Sequence, residues 1–178
     1  ILTNKMPEQR ISLLIPCVNE SRRRQIEQGL QQFPQLPVTL VNNDARSALV
    51  AADAAMIKSG TSTLEAMLLR RPMVVSYRLG NLSYRIASRL VNTPFIALPN
   101  ILAGQALVPE LIQDAATPEA IAQALVEQLE AVADSSRQTN AMLAFEQLHQ
   151  QLRQGESGQG ASATAAGEIL DLLDSRKV

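Results

Sequence analysis

The chain has 178 residues, a formal net charge of −1 and an apolar content of 46%. This length and composition are typical of one globular domain with at most a small appendage, and they exclude wholesale disorder. One cysteine and one histidine exclude a disulfide framework, a cysteine-based zinc site and a multi-histidine metal centre, and aromatic residues at 3% argue against a surface that stacks nucleobases. We therefore expect no metal, no cofactor and no nucleic-acid partner.

Short apolar runs alternate with helical patterns over the first hundred residues. Ser21 is expected to cap the first helix of this part, and residues 42–44 are expected to form a turn and the N-cap of the second. Continuous apolar strands between helices predict an α/β fold, with a parallel sheet that is covered by helices on both faces. The predicted strands are 12–18, 38–41, 54–57, 73–77 and 95–98; the predicted helices are 22–33, 45–52, 64–70 and one that carries Leu82, Ile86 and Leu90.

The last third of the chain has a different pattern. Pro118 opens a predicted helix that carries apolar residues four positions apart, and a second helix is predicted over 140–153. Residues 154–167 hold four of the eight glycines together with Ser, Gln and Ala, a composition that predicts a flexible linker before a last helix at 165–174. We expect a domain over 1–135 and a helical tail over 136–178.

The sequence predicts no membrane span. Its longest uncharged run, residues 90–109, contains three prolines and two asparagines, which are poorly compatible with a membrane helix. The first residues resemble the end of a helix rather than the beginning of a domain, so we expect the chain to be part of a longer polypeptide.

Charge is unevenly distributed along the chain. Residues 66–109 contain five arginines and no acidic residue, whereas residues 110–178 contain eleven acidic residues against four basic ones. The arginine-rich segment suits a phosphate or an anionic lipid surface, and pairing with the acidic last third is the alternative. Both interpretations stay open for Arg78, Arg85 and Arg89.

A glycine- and hydroxyl-bearing turn, Ser59-Gly-Thr-Ser-Thr63, lies between a predicted buried strand and a predicted helix. At the carboxyl edge of a parallel sheet, such a turn presents free backbone N–H groups and the positive end of the helix dipole. Gly60 allows an anion to approach the backbone closely. The turn is shorter than a P-loop and lacks its lysine, so it suits a diphosphate that is held without a metal.

Glu65 has two interpretations. The spacing Ser62-Thr-Leu-Glu65 matches a capping box, in which the carboxylate folds back onto the first turn of its own helix. Alternatively, a carboxylate one turn beyond a phosphate-binding helix start can accept hydrogen bonds from the two ribose hydroxyls of a nucleotide. Asn100, in the segment FIALPNILAG, either presents its amide to a sugar or phosphate or stabilises a turn.

The segments SGTSTLEAMLLRRPMVVSYR and LVNTPFIALPNILAGQALVPELIQ closely resemble the carboxyl-terminal half of the bacterial lipid-A-disaccharide synthase family. The upstream IPCVNESRRRQ resembles the strand-and-Asn segment of the same family. The resemblance covers about residues 7 to 130, and residues beyond that match only loosely. It implies the Rossmann-like donor half of a GT-B glycosyltransferase, with a Gly-Ser-Arg loop and an amino-terminal domain that this chain does not contain.

The resemblance also implies an activity: metal-independent, inverting transfer of diacylglucosamine from its UDP derivative to lipid X, on the cytoplasmic face of the inner membrane. It places Glu65 and Asn100 at important donor-site positions, Gly60, Thr61 and Ser62 beside the donor diphosphate, and Asn19 among the substrate-binding residues. The catalytic residues are expected in the amino-terminal domain, so this chain alone is expected to bind the donor without turnover.

Two other hypotheses remain at this stage. One is the donor half of a related UDP-sugar enzyme, such as the glucosaminyltransferase of peptidoglycan synthesis or a UDP-sugar epimerase, although these should lack the FIALPNILAG segment. The other is a non-catalytic module that dimerises by exchanging its helical tail. The tail helix is too short to be stable alone, so we expect it to pack on the amino-terminal domain or on a second copy of the chain.

Overall fold

The computed structural model describes residues 1–80, 94–133, 140–154 and 161–175. Parallel strands flanked by helices and followed by a helical tail confirm the predicted α/β class. The elements in chain order are α1 (Leu2–Lys5), β1 (Leu13–Cys17), α2 (Glu20–Leu30), β2 (Val38–Asn42), α3 (Ala45–Ala51), β3 (Ala55–Lys58), α4 (Thr61–Leu68), β4 (Met73–Tyr77), α5 (Leu98–Ala103), β5 (Glu110–Ile112), a 3₁₀ turn (Gln113–Ala115), α6 (Pro118–Ala133), α7 (Asn140–Gln154) and α8 (Ala161–Ser175).

The strands form two parallel sheets. One sheet has two strands in the order β1-β2, and the other has three in the order β3-β4-β5. Leu13 pairs with Val38 in the first sheet. In the second, Ala55 pairs with Met73, and Val75 of the central strand pairs with Glu110. All neighbouring strands run in the same direction, so the carboxyl ends of β3, β4 and β5 lie along one edge.

The main hydrophobic core surrounds β4. Its neighbouring residues Val74 and Val75 are both fully buried, which means that both faces of this strand are covered. Met67 of α4 and Phe145 of α7 are buried in the same core, and α6 also packs against β4. Arg70, just after α4, forms a salt bridge with Glu146 and so attaches α7 to the end of α4.

Polar side chains cap helices α2, α3 and α6. Asp44 accepts a hydrogen bond from the N–H of Ser47 at α3, as the predicted N-cap there requires, and Thr117 accepts one from Ala120 at α6. The predicted cap at Ser21 is wrong. Asn19 is the N-cap of α2 and its Oδ1 accepts the N–H of Arg22 at 2.9 Å, because the helix begins at Glu20, before Ser21.

The predicted strand at 95–98 is also wrong. The third strand of this sheet is Glu110–Ile112, and Leu98 instead begins the short helix α5, with a proline in its first turn. The N–H groups of Ile96 and Ala97 are bonded to the Glu110 side chain rather than to a neighbouring strand. The residues at 95–98 therefore do not extend the sheet, and Ala97 is buried in the main hydrophobic core.

The tail differs from the prediction in one respect. Helix α8 begins at Ala161, so the predicted linker at 154–167 is too long: residues 161–167 are helical, as their four alanines favour. Four large apolar side chains of α8 are more than half exposed: Ile169, Leu170, Leu172 and Leu173. The predicted helix with Leu82, Ile86 and Leu90 lies outside the described residues. Within the described parts of the chain, no helix combines the length and apolar character that crossing a membrane requires.

Candidate nucleotide-binding site

The turn after β3 has the backbone conformation that only glycine adopts readily. Gly60 has φ 149° and ψ −167°, and a side chain at this position would be strained even though the surrounding space is open. Gly60 is the N-cap of α4, and no side chain caps this helix. The N–H of Thr63 donates to the carbonyl oxygen of Gly60 at 3.1 Å, so the N–H groups of Thr61 and Ser62 are the ones left for a ligand beyond the sheet edge.

Hydroxyl groups around Gly60 differ in their availability. Thr63 is buried, and its Oγ1 donates to the carbonyl oxygen of Gly60 at 2.7 Å. Thr61 and Ser62 are exposed at the start of the helix. Thr63 therefore stabilises the turn, whereas the hydroxyls and amides of Thr61 and Ser62 are accessible to a ligand.

The capping-box interpretation of Glu65 is wrong. The helix begins at Thr61 rather than after Ser62, so Glu65 is its fifth residue and lies too far along to reach the first N–H groups. Among the described residues, its exposed carboxylate accepts no hydrogen bond and forms no ion pair. A free carboxylate one turn above an uncapped helix start matches the alternative, in which Glu65 accepts from ribose hydroxyls.

Lys58, the last residue of β3, adds positive charge beside this turn. Its exposed ammonium lies 5.4 Å from the centroid of the Tyr77 ring at the end of β4. This is a cation–π distance, so the ring restrains the ammonium at the same sheet edge as Gly60. Sequence reasoning missed Lys58, because only the pairing of β3 with β4 brings it next to an aromatic residue.

Asn100 is buried and its side-chain amide is fully bonded within the protein. Its Nδ2 donates to the carbonyl oxygen of Val108 and to Oε1 of Glu110, and its Oδ1 accepts from the N–H groups of Leu107 and Val108. These four bonds use the entire capacity of the amide. Asn100 is only 1% exposed, and its geometry matches the turn-stabilising interpretation rather than direct contact with a ligand.

Glu110 is the acceptor that joins this segment to the sheet. Its Oε2 accepts the N–H of Ile96 at 2.9 Å, and its Oε1 accepts the N–H of Ala97 at 2.9 Å and the amide of Asn100 at 2.8 Å. The carbonyl of Ile96 in turn accepts a hydrogen bond from the Ser59 hydroxyl at 2.8 Å. Glu110 is thus connected through one residue to the turn at Gly60.

The loop after β4 is fixed by a second amide. Oε1 of Gln113 accepts the N–H of Leu79 at 2.6 Å, and its Nε2 donates to the carbonyl of Leu79 at 3.1 Å. Arg78, one residue earlier, is exposed at the same edge. Neither Gln113 nor Glu110 was predicted, because both act on loops more than ten residues away and no short motif marks them.

The remaining predicted site residues are not all near this turn. Asn19 lies after β1 on the two-stranded sheet, where its side chain is occupied as a helix cap. Arg85 and Arg89 lie outside the described residues. The structure therefore brings together Gly60, Thr61, Ser62 and Glu65, and it connects Asn100 to them through Glu110, Ile96 and Ser59.

Parallel strands that alternate with helices and are flanked by them define a Rossmann-like α/β class of protein. The lipid-A-disaccharide synthetase family model matches residues 2–166. The chain belongs to this family.

Curated relatives agree with this assignment. The lipid-A-disaccharide synthase of Pseudomonas aeruginosa strain LESB58 is 49% identical over 166 residues, which are 93% of this chain and 41% of that protein. The enzymes with the same name from Pseudomonas entomophila strain L48 and Azotobacter vinelandii strain DJ are 49% and 47% identical and cover 88% and 92% of this chain. The chain spans about two fifths of the length of these relatives.

Proposed function

We propose that this chain is the donor-binding half of a glycosyltransferase of lipid A biosynthesis. The complete enzyme transfers diacylglucosamine from UDP-2,3-diacylglucosamine to lipid X and releases lipid A disaccharide 1-phosphate and UDP. Family membership supports the reaction. The observation that carries the role of this chain is the uncapped start of α4 behind Gly60. One turn further on is the Glu65 carboxylate, which has no partner among the residues that the structure describes.

The proposed site divides the donor between two groups. The diphosphate accepts hydrogen bonds from the N–H groups of Thr61 and Ser62, where the helix dipole favours negative charge. Glu65 accepts from the two ribose hydroxyls. When the bond between the sugar C1 and the diphosphate breaks, UDP leaves with added negative charge, and the same N–H groups stabilise that charge. The base that takes the proton of the attacking hydroxyl is expected outside this chain.

Calorimetry with UDP tests this assignment. Glu65→Gln keeps the size of the side chain but removes its charge, so we expect a loss of roughly 1.5–3 kcal/mol in binding, which is about 10- to 150-fold in affinity. Glu119→Gln is the matched control, because Glu119 is also in the first part of a helix and exposed but lies in α6. Equal affinity of the parent and Glu65→Gln, or equal affinity for UDP and inorganic pyrophosphate, contradicts the proposal.

Contact with an anionic membrane surface is a second part of the proposal. Arg78 is exposed beside the site, and Arg85 and Arg89 belong to the same acid-free segment of the sequence. Each basic residue near such a surface contributes on the order of 1 kcal/mol, and salt screens this attraction. Arg85→Ala/Arg89→Ala is expected to sediment less with anionic vesicles than the parent does. Identical partitioning would mean that these side chains pair within the protein.

The exposed apolar side chains of α8 need a partner. We propose that they pack on the amino-terminal domain of the complete enzyme or on a second copy of this chain, since a row of exposed isoleucine and leucine side chains is unfavourable in water. Distance measurements between spin labels at Ser62 and Ser175 in a mixed-label sample detect exchange between copies. Absence of any signal between molecules rules out the second copy.

A further inference from the structure

A chain of hydrogen bonds connects Glu110, the first residue of β5, to the proposed donor turn. Glu110 accepts the N–H of Ile96, and the carbonyl of Ile96 accepts the hydroxyl of Ser59, which directly precedes Gly60. Ser59 uses its one donor in this contact, so it has none to offer a phosphate. Ser59 can therefore affect a ligand only indirectly, through the position in which its hydrogen bond keeps the turn.

The position of Ile96 depends on the Glu110 side chain rather than on regular secondary structure. Residues 94–97 form neither strand nor helix, and among the described residues the N–H of Ile96 is bonded to the Glu110 carboxylate alone. Asn100 donates to the other oxygen of the same carboxylate, and Asn100 is itself held by Leu107 and Val108. The position of Ile96 is thus set by β5, and β5 is paired with β4 in the centre of the core.

We propose that Glu110 is a positioning residue for the donor-binding turn and acts through Ile96 and Ser59. This inference rests on the proposed function, because it assigns Glu110 to the site in which Gly60, Thr61, Ser62 and Glu65 hold the donor. Glu110 does not touch the ligand. It fixes the carbonyl that orients Ser59, and the backbone conformation of Gly60 follows directly after Ser59 in the chain.

Glu110→Gln separates this role from a general contribution to folding. A glutamine oxygen in the place of Oε1 keeps the bonds from Ala97 and Asn100, whereas its NH₂ group then faces the N–H of Ile96, where a donor cannot accept. The substitution therefore releases Ile96 selectively. In the opposite orientation of the glutamine amide, the hydrogen bonds from Ala97 and Asn100 are lost and only the one from Ile96 is kept, so that orientation is disfavoured.

The test is a double-mutant cycle on UDP affinity, measured per folded molecule by calorimetry. We expect Glu110→Gln and Ser59→Ala each to weaken binding about two- to tenfold, the range that corresponds to one hydrogen bond of average net strength. If Glu110 and Ser59 act along one path, the double variant should bind UDP as tightly as whichever single variant has the lower affinity. Glu119→Gln, which removes the same charge outside the network, should bind like the parent.

Each outcome has one meaning. If Glu110→Gln binds UDP as tightly as the parent does, the inference is wrong. It is also wrong if the affinity of the double variant falls by the product of the two single-variant losses. Those results leave the proposed function intact if Glu65→Gln still binds weakly, whereas a parent chain that does not bind UDP refutes the proposed function itself.

A second pair of variants covers the case in which Glu110→Gln does not fold. Ser59→Thr keeps the hydroxyl and should retain UDP affinity, whereas Ser59→Ala should lose it two- to tenfold. Equal affinity of these two variants overturns the role of the Ser59 contact and with it the path from Glu110.

Discussion

The two sheets of this molecule are built very differently. In the three-stranded region, defined as β3, β4 and β5 with α4 to α7, the side chains of Met73, Val74 and Val75 are completely buried in one strand. In the two-stranded region, defined as β1 and β2 with α2 and α3, Cys17 is the one buried residue of both strands, and α2 buries none. The candidate site belongs to the densely packed region.

Polar contacts follow the same division. The three-stranded region contains the Asn100–Glu110 network, with Asn100 fully enclosed. The two-stranded region has exposed pairs, such as Arg23 with Glu27 and with Asn42. Exposed pairs contribute little to stability, whereas an enclosed network is costly to interrupt. The comparison indicates that the turn at Gly60 is held by its surroundings, while Asn19, on the other sheet, is held mainly by its own helix.

The largest expected difference is in the core. Phe145→Ala removes a completely buried ring of α7, the helix that packs against α4 and α5, and should lower the free energy of unfolding by about 3–5 kcal/mol. Phe33→Ala makes the same change between α2 and β2, beside the two-stranded region, where the residue is 50% exposed, and should cost less than about 1 kcal/mol. Urea denaturation measures both. If the two variants lose a similar free energy of unfolding, the two regions do not differ in packing as described.

Two asparagine-to-aspartate changes test the polar contrast. Asn100→Asp loses both donors of the amide and sets a new carboxyl group against Oε1 of Glu110, so we expect a loss of roughly 2–4 kcal/mol at pH 7. The loss should shrink towards pH 4, where a protonated carboxyl can donate again. Asn42→Asp faces the guanidinium of Arg23 instead and should be neutral or slightly stabilising in the same denaturation series.

Glycine-to-alanine changes should have opposite signs in the two regions. Gly60→Ala meets no atom within 4 Å, so its expected cost of about 1–3 kcal/mol comes from the backbone conformation alone. Gly29→Ala in α2 also has open space and should stabilise the chain by about 0.4–1 kcal/mol, because alanine favours a helix. Thermal unfolding distinguishes them, and a stabilising Gly60→Ala would disprove the strain.

The smallest expected effect concerns a helix cap in the two-stranded region. Hydrogen bonds from the Ser47 side chain and backbone lower the pKa of Asp44. Its stabilising contribution is therefore present above the ordinary pKa of about 4 and is lost as the pH falls through the lower pKa of the folded state. Unfolding of Asp44→Asn should depend less on pH below 4 than that of the parent. Thr117→Ala, which removes a neutral cap from α6, should leave the pH dependence unchanged.

The sequence was most informative where structure is local. The strand at Met73–Tyr77 has the predicted bounds, because a continuous apolar run with clear ends indicates a buried strand wherever it pairs. The turn at Gly60 was predicted because glycine and hydroxyl residues directly after such a strand indicate a turn from the local sequence alone.

Pairing between distant segments could not be predicted in the same way. Residues 95–98 have the apolar character of a strand, but Glu110–Ile112 pairs with β4, and a three-residue strand is too short to show a periodicity. The three bonds that Glu110 accepts depend on that pairing. The start of α4 was misplaced by three residues for a related reason: the backbone of Gly60, and not Ser62, ends the turn.

The single cysteine makes the opening of the two-stranded region measurable by chemical modification. Cys17 is 2% exposed at the carboxyl end of β1, and its Sγ lies 3.7 Å from the carbonyl oxygen of Ile15. Alkylating reagents attack only a thiol that has become accessible and lost its proton. The rate of modification in the native state therefore reports how often β1 opens, and this rate can be followed independently of the events around β4.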